Sequence, residues 1–324
     1  MKRFWGFLGA VSAAALCCAA PAAAQDFYKG RSITIVVGFT PGGGTDIMAR
    51  ITAQALSEAL AQNFVVDNRP GSGGTIAGDI VAKGPKDGYS ALMISTGHTV
   101  SAAMIKSQAY DAVKDFAPVG IVANSAIAIV AKADFPANDL KGLIEVIKKD
   151  PGKYNYATVG VGSTQHLTAE LFRQRAGLQA QAVSFRTTGE VVTALLRKDV
   201  AYAVDLAHAV RGQVESGELK LIAVATGKRF PSLPKVPPVI ESGIPGFEIN
   251  GWYGFVYPAG VPQAVIDKTH KALTQVLSRD AVKKQLANIG AEAALSSPQE
   301  FGKLIADEVT RWREVAKAAK IEPQ

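Results

Sequence analysis

A glycine-rich turn near the start of the chain carries the residues best suited to binding chemistry. It runs from Phe39 to Asp46 and places three consecutive glycines between an apolar, β-branched run, Ile33–Val37, and apolar residues at helical spacing. This pattern predicts a buried strand, a tight turn and an amphipathic helix with Thr45 or Asp46 as its N-cap. Glycines let several backbone N–H groups approach one point, and a helix start favours negative charge. The turn is therefore a candidate anion site.

Two nucleotide-binding motifs do not fit this turn. A phosphate-binding P-loop needs lysine where Gly44 stands, and a dinucleotide fingerprint needs a small residue where Ile47 stands. The turn keeps the free amides and lacks the residues that are specific for nucleotides. The alternative interpretation is structural: the glycines close a strand–helix unit and bind nothing.

Similar polar turns recur along the chain, each at the predicted carboxyl end of a strand. They are Thr40–Asp46, Gly71–Thr75 and Thr96–Thr99 in the first half, then Gly160–Thr164, Arg186–Thr188 and Asp205. In open parallel sheets ligands bind beyond these strand ends. Two such edges that face each other form a cleft that can close on a solute. Their amides and hydroxyls can hold a carboxylate without reacting with it.

Arg186 is the candidate for a fixed positive charge in such a cleft. Its planar guanidinium matches a carboxylate, and we expect it to hold a second carboxylate of the ligand. The alternative is a surface arginine near a helix start. Asp205 could bind a donor group of the ligand or only cap a helix.

Residues for catalysis or metal binding are scarce. Ser163 and His166 could act as nucleophile and base, but they are neighbours on one helical turn, and no Gly-x-Ser-x-Gly motif surrounds the serine. The four histidines have no metal-ligand spacing, and of these only His98 and His166 are candidates for touching a ligand. The sequence predicts no catalytic residue, no metal and no cofactor.

The amino terminus has the pattern of a secretory signal. Lys2 and Arg3 precede an apolar run, and small residues predict cleavage after Ala24. Both cysteines of the chain, Cys17 and Cys18, lie in this segment, so the exported chain would have no disulfide, thiolate metal site or cysteine nucleophile. No later apolar run reaches the roughly 20 residues that span a bilayer. We expect a soluble protein in the periplasm.

The charge of the chain argues against nucleic acid as a partner. The formal net charge is +7, and its Lys and Arg residues are scattered and not gathered into a stripe with aromatic residues between them. A mild positive excess of this kind can attract acidic solutes.

The order of apolar runs predicts two α/β domains. From Ile33 onward apolar runs alternate with helical patterns, which indicates largely parallel strands. The long run Val119–Ala131 can leave one sheet and enter another. We therefore expect a first domain of residues 25–123 plus 250–324 and a second of residues 124–249. Capping boxes are predicted at Thr187–Glu190 and Ser297–Glu300, and two helices after a return strand, Trp252–Pro258.

Several motifs taken in order resemble the Bug family, the extracytoplasmic solute receptors of tripartite tricarboxylate transporters. They are Ile33–Arg50, Asn68–Gly74, Asp87–Tyr89, Gly162–Ser163 with His166–Leu167, and Ser242–Phe247. The match covers essentially the whole exported chain. It implies a two-domain periplasmic binding protein of the Venus flytrap type, in which each domain is a mostly parallel sheet flanked by helices and the cleft lies between the domains.

The resemblance also implies a function. A family member captures a small organic carboxylate without turnover and delivers it to the membrane subunits of the transporter. Here we expect a di-, tri- or aromatic carboxylate, and a monomeric protein. A periplasmic partner of a membrane sensor kinase and a hydrolase of the same cleft stay open as alternatives.

The site of the family maps onto particular residues of this chain. In the family two glycine loops of the first domain, here Phe39–Asp46 and Gly71–Thr75, hold one carboxylate through ordered waters. The contacts that set specificity in the second domain match Ser163, Thr164, His166 and Asp205. The family usually has Tyr-Lys/Arg-Gly where this chain has Phe185-Arg186-Thr187, so ligand identity does not transfer. The predicted ligand-binding residues are Phe39, Thr40, Gly42, Gly43, Gly44, Thr45, Asp46, Gly73, Gly74, Thr96, His98, Ser163, Thr164, His166, Arg186, Thr187 and Asp205.

Overall fold

The computed structural model of the protein describes residues 30–323, so the predicted signal segment lies outside the described residues. Strands and helices alternate along the chain. The first elements are β1 (Ile33–Val37), α1 (Gly44–Leu60), β2 (Phe64–Asn68), α2 (Thr75–Ala82), β3 (Ser90–Ser95), α3 (Thr96–Met104) and β4 (Phe116–Lys132). They are followed by α4 (Leu140–Lys149), β5 (Asn155–Val159), α5 (Thr164–Ala176), β6 (Gln181–Phe185), α6 (Thr188–Arg197), β7 (Tyr202–Leu206), α7 (Arg211–Glu215) and β8 (Leu219–Val224). The last are β9 (Asn250–Pro258), α8 (Gln263–Leu277), α9 (Asp280–Asn288), β10 (Ala291–Ala293) and α10 (Pro298–Ala319).

The strands form two sheets that share β4. In the first sheet the order is β2-β1-β3-β9-β4, with β10 also on β4; in the second it is β4-β7-β5-β6, with β8 also on β4. The outer strands of each sheet are parallel, as predicted, whereas β4 and β9 run antiparallel to their neighbours. Each sheet is therefore mixed, because the strands that carry the chain from one sheet to the other, β4 and β9, are antiparallel to the strands beside them.

β4 passes from one sheet into the other without interruption. Its first part, up to Ala126, pairs with β9, and its second part, from Ile127, pairs with β7 and β8. The strand predicted at Val119–Ala131, and its crossing between sheets, are thus confirmed. β9, which contains the predicted return strand Trp252–Pro258, begins at Asn250 opposite Ala126.

Both faces of the first sheet are covered, which explains why β1 is apolar at every position but one. Ile33, Ile35 and Val37 pack with α1, α8 and α9, while Val36 faces α2 and the start of α10. A strand buried on two sides reads as a continuous apolar run. The second sheet is covered by α6 on one face and by α4 and α5 on the other.

The last helix contacts both halves of the molecule. Phe301 and Ile305, in its first turns, belong to the core under the first sheet, but Trp312 and Val315 are buried with residues of α5 and the second sheet. The domain assignment from sequence, which gave all of residues 250–324 to the first domain, did not anticipate this packing. No helix within residues 30–323 is long and apolar enough to cross a membrane.

Two local predictions differ from the structure. A third helix, α9, and the short strand β10 lie between the two C-terminal helices that were predicted. The helical pattern continues from α8 through Ser278 and Arg279 without glycine or proline, so the break is not visible in the sequence. At α6 the capping box is only half formed: Thr187 accepts a hydrogen bond from the amide of Glu190, but the Glu190 carboxylate accepts from the amide of Arg186.

At α10 the predicted capping box is complete, and it supports a stability prediction. Ser297 accepts from the amide of Glu300 at 3.2 Å, and Glu300 accepts from the amide of Ser297 at 2.8 Å. We expect Ser297→Ala to lower the free energy of unfolding by about 1 kcal/mol, because it leaves a first-turn amide without its acceptor. Urea unfolding measures this change, and the exposed Ser107→Ala should stay within about 0.5 kcal/mol of wild type. An equal loss in both variants would contradict the capping role.

Candidate functional site

A cavity of about 750 Å³ lies between the two sheets, at the carboxyl ends of β1 and β3 on one side and of β5 and β7 on the other. This is where open α/β sheets bind ligands. Nine of the predicted residues line it: Phe39, Thr40, Gly43, Gly44, Thr45, Gly73, Thr96, Ser163 and Thr164. The cleft therefore joins glycine turns from both halves of the chain.

The start of α1 presents free amides to this cavity. The helix begins at Gly44, and its N-cap is Gly43, so the prediction of Thr45 or Asp46 as the N-cap is wrong. Gly43 has no side chain to cap the helix, and no acceptor within residues 30–323 receives the amides of Gly44 and Thr45. First-turn amides without an acceptor, together with the positive end of the helix dipole, favour an anion.

Asp46 shapes this turn from behind and does not line the cavity. Its buried carboxylate accepts hydrogen bonds from the amide of Gly42 at 2.8 Å, from Arg50 Nε at 2.9 Å and from Asn68 Nδ2 at 2.9 Å. Burial raises the pKa of Asp46, but the hydrogen bonds from these groups outweigh that effect and lower the pKa below its usual value. The ionised Asp46 thus fixes the conformation of the glycine turn. Gly42, which donates to Asp46, is also outside the cavity lining.

The second glycine turn lies directly against the first. A Cβ atom on Gly38 would stand 2.5 Å from the Cα atom of Gly74, so the two turns can meet only because residue 38 lacks a side chain; at Gly74 it is the φ of +93° that favours glycine. Gly73 and Ser72 reach the cavity, whereas Gly74 makes this contact and is outside the lining. No sequence pattern pointed to this role of Gly38.

The third turn of the first sheet contributes Thr96 but not His98. Thr96 lines the cavity, and its Oγ1 accepts from the amide of Trp252 at 3.0 Å. His98 points away from the cavity, where Nε2 lies 3.0 Å from the carbonyl oxygen of Ala112 and the ring packs on Tyr110. Burial lowers the pKa of His98 to about 4, so its ring is neutral and belongs to the core.

On the second sheet, Ser163 and His166 shape the turn before α5. Ser163 caps the helix by accepting from the amide of His166 at 3.1 Å, and its own hydroxyl donates to the carbonyl oxygen of Val159. His166 Nδ1 accepts from the amide of Gly162 at 3.0 Å, and burial lowers the pKa of His166. The serine hydroxyl and the imidazole do not form a nucleophile–base pair, and His166 is outside the cavity lining.

Arg186 and Thr187 do not line the cavity. Both are exposed, and Thr187 caps α6. They follow β6, which is the edge strand farthest from β4 in the order β4-β7-β5-β6. Strand order is not written in the sequence, and it places the guanidinium outside the cleft lining.

Asp205 is fully buried and positions its neighbours. It accepts from Thr188 Oγ1 at 2.8 Å, from the amide of Leu206 at 2.7 Å and from Gln165 Nε2 at 3.4 Å. Burial raises the pKa of Asp205, and these hydrogen bonds only partly offset the rise. Asp205 does not line the cavity, but Gln165, which sequence reasoning missed, does.

An apolar wall completes the cavity, and the sequence did not predict it. α3 contributes Val100 and Met104, Ile105 follows directly after it, and the second sheet contributes Ile127 and Leu206. Helical periodicity predicts only that one face of α3 is buried. Helical periodicity does not indicate that this face contacts the second half of the chain.

The cavity carries no formal charge at neutral pH. None of its lining residues is Lys, Arg, Asp or Glu, and the ionisable ones are His208 and Tyr253. Burial lowers the pKa of His208 and raises the pKa of Tyr253 to about 12, so both are neutral. Within residues 30–323 no group of three or more His, Cys, Asp or Glu side chains could hold a metal ion. The arrangement can bind an anion through neutral donors beside an apolar surface.

Known proteins match this chain over most of its length. The family described as "Tripartite tricarboxylate transporter family receptor" matches residues 48–321. Protein BugT of Bordetella pertussis is 33% identical over 301 residues, which are 92% of this chain and 92% of BugT.

Solved structures share the fold. An R. palustris protein solved with adipate is 34% identical, has a TM-score of 0.79 and covers 92% of this chain and 100% of its own. The periplasmic binding protein BugD is 33% identical, with a TM-score of 0.76 and coverage of 92% and 100%. MatC from Rhodopseudomonas palustris, solved with bound malate, is 28% identical, with a TM-score of 0.74 and coverage of 89% and 99%. The two-sheet α/β architecture is thus that of periplasmic solute-binding proteins, and the chain belongs to the Bug family of tripartite tricarboxylate transporter receptors.

Proposed function

We propose that this protein captures a small organic carboxylate in the cleft between its sheets, in the periplasm, and delivers it unaltered to the membrane subunits of a tripartite tricarboxylate transporter. One observation carries the proposal: Gly44 and Thr45, at the uncapped start of α1, line the cavity, and their amides have no acceptor among the described residues. Adipate and malate in the similar solved structures support a carboxylate as the ligand. Family membership supports the transporter as the partner.

The proposed contacts divide between the two sheets. The carboxylate would bind at Gly43, Gly44 and Thr45, with Gly73 and Thr96 beside them, and the rest of the solute would meet Ser163, Thr164 and Gln165. The apolar residues of α3 fit a hydrocarbon or aromatic body. The proposed domains, residues 25–123 with 250–324 and residues 124–249, would close on it as a hinge about β4.

Binding without turnover is supported by the donors themselves. Free backbone amides stabilise a carboxylate by donating hydrogen bonds to it, but they provide neither an activated nucleophile nor a poised base. Ser163 donates to a carbonyl oxygen and not to an imidazole, which disfavours a hydrolase of the same cleft.

Thermal unfolding with a panel of solutes tests the proposal. We expect at least one of hexanoate, benzoate, adipate, malate and citrate to raise the free energy of unfolding by about 2.7 kcal/mol when present at about a hundred times its dissociation constant. The neutral amides of the same acids are the matched controls and should give no stabilisation, because they bring no negative charge to α1. Equal stabilisation by acid and amide, or chemical conversion of the bound acid, would contradict the proposal.

A further inference from the structure

His208 is a cavity-lining residue that the sequence did not single out. It lies on the short turn after β7, at residues 207–210, on the side of the second sheet. The Nε2 atom of His208 lies 3.9 Å from the position that a Cβ atom on Gly44 would occupy. A Cβ atom added to Gly290 would lie only 2.5 Å from the Cβ atom of His208. The imidazole therefore stands between the start of α1 and the turn before β10.

The hydrogen bonding of His208 differs from that of the other histidines. His98, His166 and His270 each place a ring nitrogen at 2.9 to 3.0 Å from a backbone group. In His208, Nδ1 is buried and has no hydrogen-bond partner within residues 30–323. Nε2, the ring nitrogen near the start of α1, also has no hydrogen-bond partner among the described residues, so the ring is held by packing and Nε2 is available to a ligand.

The surroundings of His208 keep it neutral while the cavity holds no anion. Burial lowers its pKa, and no neighbouring charge contributes to the shift. The positive end of α1 also opposes a second positive charge nearby. The elements around the turn carry the following charged or titratable groups: Asp46, Arg50 and Glu58 on α1, Tyr253 and Tyr257 on β9, Tyr202 and Asp205 on β7, Glu190 and Arg197 on α6, Arg211 and Glu215 on α7, Lys220 on β8, Lys132 on β4 and Glu292 on β10.

A carboxylate at the start of α1 would reverse this balance. It would place a negative charge next to Nε2 in a partly desolvated site, where an opposite charge strongly favours the protonated imidazole. We propose that His208 takes up a proton from solvent when a carboxylate binds and donates a hydrogen bond from Nε2 to it, so that capture of the solute is coupled to proton uptake. This inference rests on the proposed function.

The coupling has a definite sign. Proton uptake on binding makes affinity higher at low pH and lower at high pH, by at most about tenfold per pH unit between the pKa of the free protein and that of the complex. Above pH 6.5 hexanoate, benzoate, adipate and malate are almost fully ionised, so any remaining pH dependence of their binding belongs to the protein. Citrate still titrates its third carboxyl in this range and serves as a test of binding only.

Calorimetry and NMR test the coupling directly. Hexanoate, benzoate, adipate, malate and citrate are titrated into the exported chain at pH 7 in buffers of different ionisation enthalpy. The change of the observed binding enthalpy from buffer to buffer gives the number of protons taken up. For the acids other than citrate that bind, we expect uptake of up to one proton in the wild type and none in His208→Gln, whose affinity should also lose its dependence on pH between 6.5 and 8. In the ¹⁵N-histidine NMR spectrum, the signal of His208 is the one that is absent from His208→Gln. The pKa measured from this signal should be higher in the complex than in the free protein.

Matched controls separate this inference from the function on which it rests. His270→Asn removes a histidine bonded to Val119 outside the cavity and should leave proton uptake unchanged. Binding without proton uptake by the wild type, or uptake that persists in His208→Gln, would overturn the role of His208 while the proposed function stands. If none of the five acids binds, the proposed function fails, and this inference with it.

Discussion

Gly43→Val is expected to weaken carboxylate binding by roughly a hundredfold while leaving the fold intact. Gly43 has φ −75° and ψ 164°, an extended conformation that valine adopts, and its added Cβ would meet only the Thr40 carbonyl oxygen, at 3.3 Å. The side chain would instead cover the first-turn amides of α1. Loss of about two hydrogen bonds to a charged group costs about 3 kcal/mol, which corresponds to that change in Kd.

Calorimetric titration with the acids of the panel measures the effect, and unfolding without ligand checks the fold. Gly212→Val is the matched control, because a Cβ there meets nothing within 4 Å and α7 is outside the cavity lining. Unchanged affinity in Gly43→Val would rule out the start of α1 as the carboxylate site.

Glu308→Ala is expected to lower the free energy of unfolding by about 3 kcal/mol. Glu308 is 2% exposed and accepts from Thr99 Oγ1 at 2.9 Å, from Trp252 Nε1 at 3.0 Å and from Arg311 Nη2 at 2.8 Å. Alanine would leave Trp252 Nε1 unpaired in the core between α3, β9 and α10, would remove the charged partner of Arg311 and would add a cavity, whereas Thr99 Oγ1 keeps the carbonyl oxygen of Thr96 as an acceptor. Urea unfolding measures the loss. The exposed Glu314→Ala on the same helix should change stability by less than about 0.5 kcal/mol, and a similar value for Glu308→Ala would contradict this role.

The pH dependence of the same residue gives a second readout. Burial raises the pKa of Glu308, and the charge of Arg311 and the hydrogen bonds only partly offset the rise. Because the folded pKa is above the unfolded one, about 4.3, ionisation of Glu308 costs stability as pH rises from the unfolded pKa through the folded one. Glu308→Gln, which keeps an acceptor but cannot ionise, should remove that part of the pH dependence.

The sequence predicted the elements of the cleft better than its walls. The order of strand, glycine turn and helix at Ile33–Leu60, the crossing strand and the turn before α5 are local patterns, and the structure confirms them. Whether two elements meet depends on strand order and packing, which no local pattern contains. This is why α3 as the apolar wall and His208 at the start of α1 were missed.

Particular predicted residues show the same limit. Arg186 has suitable chemistry, but it follows an edge strand and lies outside the cavity lining. Asp46 and His166 follow glycine turns as a ligand contact would, yet each of them holds its own turn in shape. The sequence identified the turns correctly and could not divide their residues between those that face the cavity and those behind it.

The continuity of β4 also bears on how the protein loses its structure. One backbone supplies hydrogen-bond partners for β9 and β10 and, a few residues later, for β7 and β8. If this strand melts, both sheets lose their ladders to β4 at the same time, so the two halves are expected to unfold as one cooperative unit. Any solute that steadies the cleft would then protect amide hydrogens throughout the chain against exchange, including those far from where it binds.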